Sequence, residues 1–171
     1  MYSGYLKQIN QYLDSLNESK TPTIVFLGCS ATKANKKCKA KDLYQGSLFK
    51  YSYEYAKKKL KPNRIFILSA KHHLLSLGDV IAPYDMCLDD FSAEENQEWA
   101  NEVIKELKSK GISKNCKAIF LCGDNYRKNL QDYFKAYRVP TEGLGIGEQL
   151  AFYIKKLGYK LEEDLLENYI P

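Results

Sequence analysis

RIFILSAKHHLLSLGDVIAPYD, residues 64–85, is the pivot of this chain. Its first five residues, Arg64-Ile65-Phe66-Ile67-Leu68, form a short run of large apolar side chains bounded by Pro62-Asn63 and a polar break. That is the pattern of a fully buried strand. The remainder, Ser69–Asp85, reads as an ordered loop bent by Gly78 and Pro83, carrying Ser69, Lys71, both histidines (His72 and His73), Asp79, Tyr84 and Asp85. In open α/β sheets ligands bind beyond the carboxyl ends of strands, so a polar loop leaving such a strand is the first place to look for a site. The competing reading is a structural loop whose Leu74, Leu75, Leu77, Val80 and Ile81 cap the core.

The strand signal recurs upstream and downstream. Thr23-Ile24-Val25-Phe26-Leu27 is a β-branched and aromatic run that follows the break at Thr21-Pro22 and ends at Gly28-Cys29-Ser30. Cys116–Cys122 is a further strand, turning at Gly123-Asp124-Asn125 into a helix that carries Tyr126, Leu130, Tyr133 and Phe134. Helical spacing predicts an opening helix within residues 1–20 (Tyr5, Leu6, Ile9, Tyr12, Leu13, Leu16) that stops near Asn17. A second helix has Ser47 as its N-cap. A third starts at the capping box Ser92-Ala93-Glu94-Glu95 and runs to about Lys110, with Gly111 as its stop. Glu148–Leu157 is a helix introduced by the glycine-rich turn Gly143–Gly147, and residues 161–171 form a short helical tail. Met86–Phe91 reads as an extended arm, and Val139-Pro140 as part of a short edge strand.

Strands alternating with helices predict an α/β fold of three layers: a mostly parallel central sheet with helices on both faces, in one domain over residues 1–171. The strand ends at Cys29, Ser69 and Gly123 then share one edge of the sheet and wall a single cleft.

The chain has 171 residues, 44% of them hydrophobic and 27% charged, which suits a globular domain and argues against disorder. No apolar run reaches membrane-spanning length, and the amino terminus lacks the form of a secretion signal. A cytoplasmic protein with no membrane partner is expected. The 5 cysteines are irregularly spaced and make no CxxC pair, so neither a disulfide framework nor a metal site is predicted, and no cofactor is implied. The default for Cys29 and Cys122 is a small buried hydrophobe; Cys29 alone could serve as a nucleophile, at the mouth of a lysine-rich loop. The net charge is +5, with Lys33, Lys36, Lys37, Lys39 and Lys41 crowding that loop. Such a cluster attracts phosphate-bearing partners. A second cluster, Lys57–Lys59 with Lys61, is accounted for by a helix carboxyl end.

Three alternating glycines, Gly143, Gly145 and Gly147, could bring backbone amides against an anion. They are not a dinucleotide fingerprint, and no Walker lysine, nucleophile elbow or metalloprotease helix is present. Asp79, Asp85 and Glu148 are the candidate acids for activating water or stabilising a sugar cation, with Asp124 a further carboxylate at the cleft. For Glu148 the bland reading is favourable placement in a helix's first turn. Tyr84 or Tyr126 could stack on a base, although with 14 tyrosines most must be structural.

These residues also carry a resemblance. Cys29-Ser30-x-x-Lys33, Leu43-Tyr44-x-Gly46, Leu68-Ser69-Ala70-Lys71, Asp79-x-Ile81-x-Pro83-Tyr84-Asp85, Gly123-Asp124-x-Tyr126 and Gly143-x-Gly145-x-Gly147-Glu148-Gln149, in that order, resemble small bacterial and phage domains related to the YaaA proteins. The YaaA proteins are linked to peroxide stress and DNA binding and look like distant relatives of uracil-DNA glycosylase-like enzymes. The resemblance implies a fold and a cleft more firmly than a reaction. His72-His73 departs from the Tyr-Gly more usual there, and the chain leaves little room for a helix-hairpin-helix region, so duplex binding is not carried over.

The reading that follows is an enzyme acting on a nucleotide, nucleoside or nucleic-acid base, cleaving an N-glycosidic bond with water. Lys33, Lys71 and the Gly143–Gly147 amides would hold phosphate, while Cys29, Ser30, Ser69, His72, Gly123 and Asp124 would complete the binding site. The alternatives are a module that sequesters a nucleotide-like molecule without turnover and a stress protein that binds DNA or RNA.

Overall fold

The computed structural model describes residues 4, 6–9, 11–13 and 21–160. In chain order these include β1 (Thr23–Gly28), β2 (Cys38–Lys39), α1 (Ala40–Leu43), α2 (Ser47–Tyr55), β3 (Arg64–Ser69), β4 (His73–Ser76) and β5 (Val80–Ile81). There follow α3 (Ala93–Ser109), β6 (Lys117–Leu121), α4 (Asp124–Arg127), β7 (Ala136–Arg138) and α5 (Ile146–Leu157). Residues 4, 6–9 and 11–13 are helical, as the opening periodicity predicts. The expected stop near Asn17 and the helical tail over 161–171 lie outside the described residues.

The central sheet has the order β4-β3-β1-β6-β7. β1 pairs in parallel with β3 and β6, β6 pairs in parallel with β7, and only β4 runs antiparallel. Successive residues of a strand point to opposite faces. Ile24, Phe26, Phe66, Leu68, Ala118 and Phe120 accordingly join one core, closed by Trp99, Val103 and Leu107 of α3. Val25, Leu27, Ile67, Ile119 and Leu121 join the other, closed by Phe49 and Tyr55 of α2 and Tyr153 and Leu157 of α5. Helices therefore cover both faces of a mostly parallel sheet. Phe26 stands at the centre, its ring stacked 6.1 Å from Phe66 and 5.0 Å from Phe120.

Several expectations change. The segment after β3 is not a loop throughout, because Ser69↔His73, Leu68↔Leu74 and Ile67↔Leu75 pair as a hairpin. A three-residue hairpin loop calls for a residue in the left-handed region, and His73 takes it, at φ 56. The helix-dipole reading of Lys57–Lys59 meets a wider winding: Ala56–Leu60 is a π turn in which the Lys61 amide reaches back to the Ala56 carbonyl. The helix after Gly123 stops at Arg127, the edge strand precedes Val139, and Met86–Phe91 contains a 3-10 turn at Leu88–Asp90. Ser92 and Glu95 do form the capping box, and Gly111 adopts φ 73 beyond α3.

Candidate functional site at the switch between β1 and β6

From β1 the chain moves to β3 on one side, then crosses to β6 on the other. Adjacent strands whose connections depart in opposite directions leave a crevice at their carboxyl ends. A cavity of about 520 Å³ lies there. Its walls are Gly28–Ala31 after β1, Gly46–Phe49 at the start of α2, Leu121–Tyr126 after β6, Asp89, and Ile146 and Gln149 of α5.

The start of α2 explains much of the cavity's character. Gly46 is the N-cap and Ser47 the first helical residue, so the expected cap is displaced by one position. Position 46 itself excludes a side chain: a Cβ at Gly46 would clash with the Ser30 hydroxyl oxygen, which accepts the Gly46 amide at 3.1 Å. A glycine cap has no side chain to offer, and the amides of Ser47, Leu48 and Phe49 have no intrahelical acceptor by position. All three residues line the cavity, at the positive end of the helix dipole.

The turn after β6, with Asp89 beside it, supplies the polar side chains. The Asp89 carboxylate accepts from the Asn125 amide group at 2.6 Å, and Asn96 of α3 donates to the Asn125 carbonyl at 2.9 Å. Asp124 lies 3.3 Å from the Arg127 guanidinium. The Tyr126 hydroxyl and the Cys29 thiol share a hydrogen bond of 3.0 Å. Burial first, then the neighbouring Cys29, raises the Tyr126 phenol far above its ordinary value, so it stays protonated.

Beside the cavity stands a second group, centred on Tyr84. Its hydroxyl bonds those of Ser69 at 2.7 Å and Tyr44 at 2.9 Å. Ser69 also accepts the His72 amide, and its carbonyl accepts Trp99 Nε1 at 2.9 Å. The Lys33 ammonium lies 4.4 Å and the Lys71 ammonium 5.9 Å from the Tyr84 ring centroid. The His72 ring meets Tyr84 edge-on at 5.3 Å.

The sequence-derived candidates thus fall into three sets. Cys29, Ser30, Gly123, Asp124 and Tyr126 line the cavity, whereas Lys33, Ser69, Lys71, His72 and Tyr84 form the adjoining group. The third set, Asp79, Asp85, Gly143, Gly145, Gly147 and Glu148, does not line the cavity. Asp79 accepts the Ser76 amide at 2.8 Å and closes the turn between β4 and β5, and Glu148 accepts the Gly145 amide at 2.8 Å. That bond uses an amide expected to hold phosphate. Gly143, at φ 77, shapes the turn; neither it nor Gly145 or Gly147 lines the cavity, and exposed Asp85 does not line it either. Tyr84, expected as a stacking platform, has its ring engaged by Lys33, Lys71 and His72.

Asp89 and Gln149 are cavity residues that the sequence reading did not propose for the site, whereas Asn125 belongs to the strand-end turn Gly123-Asp124-Asn125 that it set on the cleft wall. The adjacent acids Asp89-Asp90, just before a capping box, were the available signal. Among the described residues no group of three or more His, Cys, Asp or Glu side chains could hold a metal ion. None of the described helices is long and apolar enough to cross a membrane.

The structural class is an open α/β sheet with a ligand-sized cavity at its switch point. Residues 24–155 match the family of unknown function DUF6884, and the chain belongs to it. The match runs from β1 into the last turn of α5 and includes every residue of the cavity wall. No curated protein and no solved structure matches the chain.

Proposed function

We propose that the protein binds a nucleoside or nucleotide in the cavity between β1 and β6 and hydrolyses its N-glycosidic bond. The observation that carries this reading is the uncapped start of α2 opening into a 520 Å³ cavity at the switch point, with two carboxylates on the facing wall. Cavities of this size suit one small ligand, and helix-terminal amides suit an anionic or strongly polar group. In the proposed reaction water adds to the anomeric carbon as the carbon–nitrogen bond breaks. Asp89, oriented by Asn125, takes the proton from water, and the departing base, which keeps the electron pair of the broken bond, takes a proton from solvent at its ring nitrogen. Asp124 offsets the positive charge that develops on the sugar. The YaaA-like motif order supports the same reading.

The test is release of free base from a panel of nucleosides, nucleotides and oligonucleotides, followed by chromatography. Base release that Asp89→Asn lowers by about a hundredfold or more would support the assignment. No release from any substrate, or release by Asp89→Asn and Asp124→Asn equal to the parent's, would overturn it.

Capture without turnover is the second reading. It is favoured by the fact that both cavity carboxylates already have neighbouring partners, Asn125 and Arg127. Recovery of intact ligand from the purified protein would distinguish it.

A further inference from the structure

We propose that Lys33, Lys71 and His72, gathered round the Tyr84 ring, form a receptor for a phosphate group, so that the ligand of the neighbouring cavity is a nucleotide whose phosphate leaves it past Ala31. The proposal rests on the cavity reading for the identity of the ligand and on its own geometry for the phosphate.

That geometry starts from Tyr84. Its hydroxyl is held by Ser69, which is fully buried, and by Tyr44, 1% exposed. The phenol ring is therefore fixed in place. Burial, then the nearby Cys29, pushes its ionisation far above the ordinary tyrosine range, so the ring carries no charge to neutralise the lysines. Yet two ammonium groups lie within 6 Å of its centroid. Among the described residues, no carboxylate stands within ion-pair distance of either one. Cation–π attraction to the ring helps hold each cation but supplies neither with a counter-charge. A phosphate dianion placed among them would accept charge-assisted hydrogen bonds from both.

The group is joined to the cavity at a definite place. The Lys33 ammonium folds back to the Ala31 carbonyl at 3.4 Å, and Ala31 is a cavity wall residue. The segment carrying it is fixed against the start of α2: Gln45 donates to the Thr32 carbonyl at 2.9 Å, and Lys33 bridges Tyr44. The Lys33 ammonium thus stands at the Ala31 edge of the cavity that the start of α2 also lines. His72 is the third member. Burial, then Lys71 and His73, holds its imidazole below the ordinary histidine value, while Glu106 faces His73 rather than His72. An anion seated here would raise it.

The experiment is a titration of the full chain with inorganic phosphate, followed by NMR of the His72 ring. Expected are a saturable shift of the His72 signals, an upward move of their pH midpoint, and affinity lowered about tenfold or more in Lys33→Ala/Lys71→Ala. Lys33→Arg/Lys71→Arg should retain binding, and Lys105→Ala, on the exposed side of α3, should bind as the parent does. No shift at His72, or equal affinity in Lys33→Ala/Lys71→Ala, would overturn the proposal. The two readings can fail separately. Phosphate binding at His72 with no base released from any substrate upholds the receptor and counts against the hydrolase. Base release with the same nucleotide-to-nucleoside preference in parent and Lys33→Ala/Lys71→Ala upholds the hydrolase and overturns the receptor.

Discussion

The Cys29 thiol and the Tyr126 hydroxyl, 97 residues apart in the chain, meet at 3.0 Å on the wall of the cavity. The bond ties the carboxyl end of β1 to α4, the two segments that flank the switch point. A hydrogen bond of this kind contributes about 1 kcal/mol net. We expect Cys29→Ala and Tyr126→Phe to couple by about 0.5–1.5 kcal/mol in a double-mutant cycle measured by urea unfolding. Strict additivity would show that the contact is absent in solution.

Gly46 and Ser30 make a second tie across the same cavity. A Cβ at Gly46 clashes with the Ser30 hydroxyl and forces it to rotate away and give up the Gly46 amide. Gly46→Ala should cost about 1–2 kcal/mol, and Ser30→Ala should make the substitution less damaging because only the Ser30 Cβ, at 3.3 Å, then remains in the way. Equal costs in both backgrounds would contradict the steric account.

Phe26 is fully buried and stacks on Phe66 and Phe120, rings from the strands on either side. Removing it opens a hole where three strands meet. Phe26→Ala is expected to lower unfolding stability by about 3–5 kcal/mol. A loss below about 1 kcal/mol would mean that the ring stack is not the centre of the core.

The central strands were legible because a strand covered on both faces must be apolar at nearly every position, as Ile24–Leu27 and Phe66–Leu68 are. The Ser92–Glu95 box was legible because its chemistry is local. β4 was not. Leu74 and Leu75 go to opposite cores, so side by side they lack the alternation of a half-buried strand, and a histidine rather than a glycine takes the left-handed turn position. Within the site, strand-end residues such as Ser30 and Asp124 could be placed from the strand ends alone. Asp79 could not be sorted from a catalytic acid, and for Glu148 first-turn placement was the stronger reading; each accepts an amide three residues upstream, the spacing of a cap. That position 46 excludes a side chain could not be read, because Ser30, which approaches it, is 16 residues away.

His72 makes stability depend on pH. Burial, then Lys71 and His73, lowers its folded-state value beneath the ordinary 6.5. The neutral imidazole's contribution is therefore complete above 6.5 and is lost as the pH falls through 6.5 and then through the lower folded value. In thermal melts from about pH 8 to about pH 5, the parent should lose more Tm than His72→Gln. Parallel curves would show that His72 is not held neutral by the fold.

The most direct measurement is an amide NMR map of the labelled chain during titration with a nucleotide panel. Ligand at the switch point should shift Gly28–Ala31, Gly46–Phe49 and Gly123–Tyr126 together, in one saturable process. Shifts confined to the cavity at the other end of the strands, lined by Thr23, Lys117 and Ala136–Arg138, or no shifts at all, would contradict the account.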